Sequence, residues 1–133
     1  MKVISLKDME TRQGPEDWFT GAVWMDAAFE TPGAGFFRVL FEPGARTNWH
    51  THPEGQFLYI LTGDGRVQKE GEPAVEIGAG DVVYFAPDEK HWHGAGPHTY
   101  MVHLAISPAL STGGQTDWME PVTDEEYAGG QNF

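Results

Sequence analysis

Residues 35–44, GFFRVLFEPG, alternate with a period of two: Phe37, Val39 and Phe41 fall on one side and Arg38 on the other. That alternation predicts a strand with one buried face. The same reading places a first strand around Ala22–Met25, another over Gln56–Leu61, one in GAGDVVYFAP, and two more in KHWHG and TYMVHLAI. Turn signals separate them. Glu-Pro-Gly-Ala follows Phe41, and Gly-Asp-Gly at 63–65 predicts a hairpin, because Asp-Gly between apolar runs suits a tight reversal. RVQKEGEPAVEI reads as a short polar hairpin. The one helical signal is VTDEEYAGG, where Thr123 and Glu126 have capping-box spacing. About eight or nine short strands with close turns predict an all-β chain, either an antiparallel sandwich or a small barrel.

TYMVHLAI is apolar on both faces. Tyr100, Val102, Leu104 and Ile106 point one way, and Met101, His103 and Ala105 the other. A strand apolar on both sides needs cover on both. The N-terminal arm or a second subunit would supply it, so a homo-oligomer, dimer or tetramer, is expected. No linker or repeat divides the chain. It reads as a single domain over 1–133, with an N-terminal arm 1–20, a barrel of about 21–108 and a C-terminal tail 109–133.

Composition narrows the chemistry. The 133 residues carry 8 basic against 20 acidic side chains, a net charge of −12. Such a surface is repelled by phosphate, so neither nucleic acid nor an anionic membrane is an expected partner, and a small molecule is. The chain has no cysteine, which removes disulfides, thiolate metal sites and cysteine nucleophiles. MKVISLKDMETRQG has no signal-peptide core, and no segment reaches the ~20 apolar residues of a membrane span. The cytoplasm is the expected location.

Six histidines remain to be explained. His98 sits in the AGPHT turn and reads as a surface residue. His50 and His52 lie two apart and share a side of their strand, as do His91 and His93 on another. His103 joins Met101 and Ala105 on an inward face. Five imidazoles are poor core filler, because each buries nitrogens that need partners. A shared metal ion is the simplest partner. Phe37, Val39, Phe41, Leu58, Ile60 and Met101 would form the apolar wall around it.

GARTNWHTHPEGQ, continued to Gly63, has Gly44, His50, His52 and Gln56 at the spacings of the first cupin motif, with Gln in place of Glu. Gly80, followed eleven residues later by His91, resembles the second motif. There the proline comes one residue late, at Pro87, and Glu89 stands where a glycine is usual. This departure touches the turn and leaves the histidine register intact. GPEDWFTG, FEPGARTNWHTHPEGQ, GDVVYFAPDEKHWHG, HLAI and DWMEPVTDEEY together resemble bacterial manganese-dependent cupin hydroxynitrile lyases. The resemblance implies a cupin double-stranded β-helix with a short C-terminal helix. It implies a divalent ion held by His50, His52, Gln56 and His91, with manganese foremost and Fe, Co, Ni or Zn as alternatives.

Glutamine for glutamate keeps an oxygen donor and removes a charge. The ion is left a stronger Lewis acid and more loosely held. The lyase reading makes His103 and His93 the acid–base candidates and Thr47 a hydrogen-bonding partner of substrate. Phe37 is bulky for such a site, which predicts a poor fit for bulky aromatic cyanohydrins. Two alternatives stay open: a metal-dependent dioxygenase of the quercetinase type, against which Gln56 argues mildly, and a non-catalytic cupin that binds a small metabolite.

Overall fold

The computed structural model describes residues 1–26, 29–31, 33–108 and 116–129. A 3-10 turn at Leu6–Asp8 precedes the strands β1 (Thr11–Gln13), β2 (Phe19–Thr20), β3 (Val23–Asp26), β4 (Phe29–Thr31), β5 (Ala34–Phe41), β6 (Arg46–Thr47) and β7 (His50–Thr51). There follow β8 (Gln56–Lys69), β9 (Val75–Gly78), β10 (Val82–Phe85), β11 (His91–Ala95), β12 (Met101–Pro108), β13 (Asp117–Trp118) and the helix α1 (Asp124–Tyr127). The excess over the expected strand number comes from two-residue ladders such as β2, β6, β7 and β13, too short to leave a period in the sequence.

The strands form two antiparallel sheets that share β8. One runs β1-β3-β5-β12-β8-β10 with β4 beside β5. The other holds β2-β6-β11-β8-β9, with β7 and β13 continuing from β11. β8 can serve both because it is 14 residues long and bends at Gly63.

The hairpin expected at Gly63–Gly65 is therefore a correction: the chain passes straight through. Gly63 has φ 84°, and a β-carbon there would collide with the Tyr100 carbonyl. The β8–β12 register slips by one between Val102 and His103. The skipped residue is Leu61, so a bulge and, two residues on, a left-handed glycine together bend the strand from one sheet into the other. The polar hairpin over 66–77 forms as expected, between β8 and β9.

The core lies between the sheets. Phe41, Leu58, Ile60 and Met101 are fully buried there, each worth about 1.5–3 kcal/mol of apolar burial. A second cluster of Trp49, Trp92, Val122 and Tyr127 seats the tail. Buried Arg46 holds the Val122 carbonyl at 2.9 Å and Asp124 at 2.8 Å, and the Tyr127 hydroxyl donates to the Ala95 carbonyl at 2.6 Å. Thr123 and Glu126 close the capping box of α1 as the spacing predicts. Among the described residues no helix is long and apolar enough to cross a membrane.

Candidate metal centre and cavity

The inward ends of β5, β7, β8, β11 and β12 surround a cavity of about 590 Å³. His50 on β7 faces His91 on β11 directly in register. Their rings stand 4.2 Å apart between centroids, His52 is 4.9 Å from His50, and His93 is 4.9 Å from His103. The five histidines expected to point inward are all buried, and His98 is exposed.

Contacts at Nδ1 fix which nitrogen is free on three of the rings. His50 Nδ1–H donates to the Asn48 carbonyl at 2.8 Å, and His91 Nδ1–H donates to the Glu89 carbonyl at 2.7 Å. His52 Nδ1 lies 3.3 Å from the Thr116 hydroxyl. A ring tied at Nδ1 presents its lone pair at Nε2, the arrangement that orients metal-binding histidines. Nε2 of His52 and His91 is buried without a hydrogen-bond partner, as is Oε1 of Gln56, whose amide nitrogen points to Ser107 Oγ at 3.5 Å. These are orphaned donors of the kind a cation satisfies, so the residues fit a metal. The altered turn before His91 serves the same end. Asp88 takes the left-handed conformation (φ 61°), which aspartate tolerates, and Glu89 supplies the carbonyl that clasps His91.

Burial keeps these rings neutral. It lowers His52 to about 4, opposed by the adjacent Gln56 side chain, and His91 to about 3, opposed by the Glu89 carbonyl. It holds His50 and His93 well below the usual histidine range, and neighbouring imidazoles push both in the same direction. His103 falls to about 3 for the same reason; nearby backbone opposes the shift without reaching hydrogen-bond geometry. A neutral imidazole is a ligand, whereas a protonated one is not.

Ligand atoms of His50, His91 and His93 lie within 4.8 Å of one another, and this trio can hold a metal ion. It overlaps the expected set of His50, His52, Gln56 and His91 without coinciding with it. His93 replaces His52, yet His93 leaves Nδ1 unpartnered where the other three rings have it anchored. Thr47 is buried on the cavity wall, and its hydroxyl accepts the His93 backbone N–H at 3.2 Å, which leaves its own hydrogen to donate inward.

Phe37, Val39 and Phe41 line the cavity. Leu58, Ile60 and Met101, expected on the same wall, instead fill the core behind it. Sequence reasoning missed Trp18, Phe19, Met25 and Trp118, and the polar Ser107 and Thr116, which also line it. Trp18 and Trp118 stack at 5.1 Å with planes 8° apart, joining the N-terminal arm to the tail over the cavity. The signal was the tryptophan in each of DWFTG and DWMEP, aromatic residues in segments with no other evident core role.

A model of the cupin domain matches residues 37–106. The chain is 51% identical over 130 residues to a protein named (R)-mandelonitrile lyase from Granulicella tundricola, covering 96% of this chain and 98% of that one. A cupin-like protein from Thermotoga maritima is 42% identical, with a TM-score of 0.81 over 86% of this chain and 89% of its own. A predicted oxalate decarboxylase from the same organism is 25% identical, with a TM-score of 0.71 over 82% of this chain and 100% of its own. With its two cupin motifs spaced along one small barrel and its inward histidines gathered between the sheets, the chain belongs to the cupin domain family.

Proposed function

We propose that this cupin is a metal-dependent lyase that cleaves a cyanohydrin to a carbonyl compound and cyanide, and forms it in reverse. The observation that carries the reading is a pair of neutral, buried imidazoles, His93 and His103, beside an array of orphaned metal donors in an aromatic cavity. The extensive identity to a mandelonitrile lyase supports it. His50, His52 and His91 through Nε2, with Gln56 through Oε1, would hold the ion. A bound divalent ion supplies Lewis acidity toward the cyanohydrin hydroxyl oxygen.

The rest falls to side chains. Thr47 donates a hydrogen bond that orients the hydroxyl. His103, with both ring nitrogens free, accepts the hydroxyl proton. The C–H and carbon substituents stay in place, the C–C bond to the nitrile breaks, its electron pair leaves with cyanide, and the C–O bond becomes the carbonyl. The imidazolium formed at His103 then returns that proton to the departing cyanide. His93 lies between His103 and the donor array and holds the base in place through ring contact.

The test is release of benzaldehyde from mandelonitrile by manganese-loaded protein at about pH 5. We expect metal-dependent turnover, lowered by about 10²–10³-fold in His103→Gln with metal content unchanged. No turnover with metal bound, on mandelonitrile and on a small aliphatic cyanohydrin alike, would sink the reading. Substrate size gives a second check. Phe37 narrows the cavity, so Phe37→Ala should raise kcat/KM for mandelonitrile by roughly tenfold or more and leave the aliphatic substrate little changed.

A further inference from the structure

The tail passes over the cavity as β13, which pairs with β7, a strand equally short. Trp118 lies opposite His50, and Asp117 opposite Thr51. Alternation turns Thr116 and Trp118 toward the cavity and leaves Asp117 exposed. Each inward residue meets one histidine. The Trp118 ring lies 4.7 Å from the His50 ring between centroids, tilted by 33°. The Thr116 hydroxyl lies 3.3 Å from His52 Nδ1. Nε2 of His52 is buried with no partner, so it is the nitrogen left for a ligand. Nδ1 then carries the hydrogen, and Thr116 Oγ1 accepts it.

The other supports are local. His91 Nδ1 is held by Glu89 and His50 Nδ1 by Asn48, each two residues earlier in the chain. Thr116 and Trp118 reach β7 from the far end of the sequence. A pair of two-residue strands is too short to stay together by its ladder alone. Side chains and flanking backbone dock the tail instead. Trp18 stacks on the outer side of Trp118 at 5.1 Å, and Phe19 packs on the same indole at 5.8 Å. The Asn48 amide donates to the Asp17 carbonyl at 2.9 Å and to the Met119 carbonyl at 3.1 Å, tying arm and tail together beside His50. Met119 N–H donates to the Trp49 carbonyl at 2.8 Å, and Trp49 N–H to the Glu120 carbonyl at 3.0 Å.

We propose that Thr116 and Trp118 are positioning residues for the metal centre. Thr116 keeps His52 in the tautomer that ligates through Nε2, and Trp118 keeps the His50 ring in its ligating orientation. In this role, which rests on the ligand set proposed for the lyase, tail docking and ion binding strengthen each other by linkage. Calorimetric titration of chelator-treated protein with manganese ion reads affinity without turnover. Thr116→Val keeps the shape and removes the acceptor, and it should weaken binding by about 10–100-fold. Thr116→Ser returns the hydroxyl and should restore most of that loss. Trp118→Leu should cost about tenfold or more and Trp118→Phe less, while Asp117→Asn, facing outward on the same strand, should bind as wild type. Because Trp118→Leu risks loosening the whole tail, the Thr116 pair carries the decision. Ring 15N shifts of the metal-free protein should show His52 protonated at Nδ1 in wild type and as a mixture of tautomers in Thr116→Val. Manganese should also slow hydrogen exchange across residues 116–120 in wild type, and less so in Thr116→Val. A wild type that binds no ion would remove the metal reading and this role together. A wild type that binds, with Thr116→Val binding equally well, its His52 tautomer unmoved or the tail's exchange indifferent to the ion, would overturn the role and leave the metal reading standing.

Discussion

His91→Ala should leave purified protein with less than about a tenth of the wild-type metal and cut cyanohydrin cleavage by on the order of 10³-fold, the several kcal/mol a Lewis acid contributes. The ring is fully buried, faces His50 in register, and is held at Nδ1 by Glu89, so no neighbour can swing in to replace it. The informative comparison is His52→Ala against His93→Ala. If the ion sits on His50, His52, His91 and Gln56, then His52→Ala loses metal as His91→Ala does. His93→Ala then keeps most of the metal and loses turnover. The opposite outcome would move the ion to the His50–His91–His93 trio, whose ligand atoms lie within 4.8 Å of one another. Gln56→Ala should weaken metal affinity by about tenfold or more, because an amide oxygen is replaced by nothing. Plasma emission analysis of each variant, grown with the same manganese supplement, reads all four.

How far the sequence foretells such a centre depends on what alternation can and cannot say. A period of two gives the side of the sheet on which a residue falls, and it placed all five buried histidines correctly. It gives nothing about depth along the strand. Gln56, Leu58 and Ile60 share one parity on β8, yet only Gln56 reaches the cavity, and the other two lie in the core. Met101 and His103 differ in the same way on β12. Gly-Asp-Gly at 63–65 misled because a hairpin and a bend inside a continuous strand can both use a left-handed glycine. What separates them is whether the flanking residues pair with each other or with third strands, a tertiary matter. Trp18 and Trp118 come together from opposite ends of the chain, and no local pattern records that. The choice between His52 and His93 was likewise hidden. Both have the right parity beside their partners, and the distinction lies in the Asn48, Glu89 and Thr116 oxygens that take Nδ1 of the other three rings. The capping box of α1, by contrast, is wholly local, and it formed where it was read.

The same burial makes the metal-free protein acid-sensitive. In the folded chain His52 titrates at about 4 and His91 and His103 at about 3, against an ordinary 6.5, with burial the leading cause in each. Between pH 6.5 and about 4 the unfolded chain binds protons at these positions and the folded chain does not. Stability must then rise with pH across that window, and it is lost as pH falls from 6.5 toward 4. Above 6.5 both states are neutral at these groups and the effect vanishes. Each ring contributes up to about 1.4 kcal/mol per pH unit inside the window, so about 2 kcal/mol per ring is lost between pH 7 and 5. Three rings together remove several kcal/mol, a large share of the roughly 5–15 kcal/mol that holds a domain folded. Most carboxylates titrate below this interval, so the interval isolates the histidines. Urea melts of chelator-treated protein, followed by the fluorescence of its 5 tryptophans, should show the midpoint falling steadily from pH 7 to pH 5. His103→Gln removes one of the rings and should reduce the slope by about one proton. Adding manganese should restore the midpoint at pH 5, since ion binding stabilises the folded chain and the depressed histidines leave protons little power to compete above pH 4. A midpoint that stayed level between pH 7 and pH 5 in the metal-free protein would mean that the five rings carry protons or water in the folded state, and the dry, neutral donor array on which the metal centre depends would be gone.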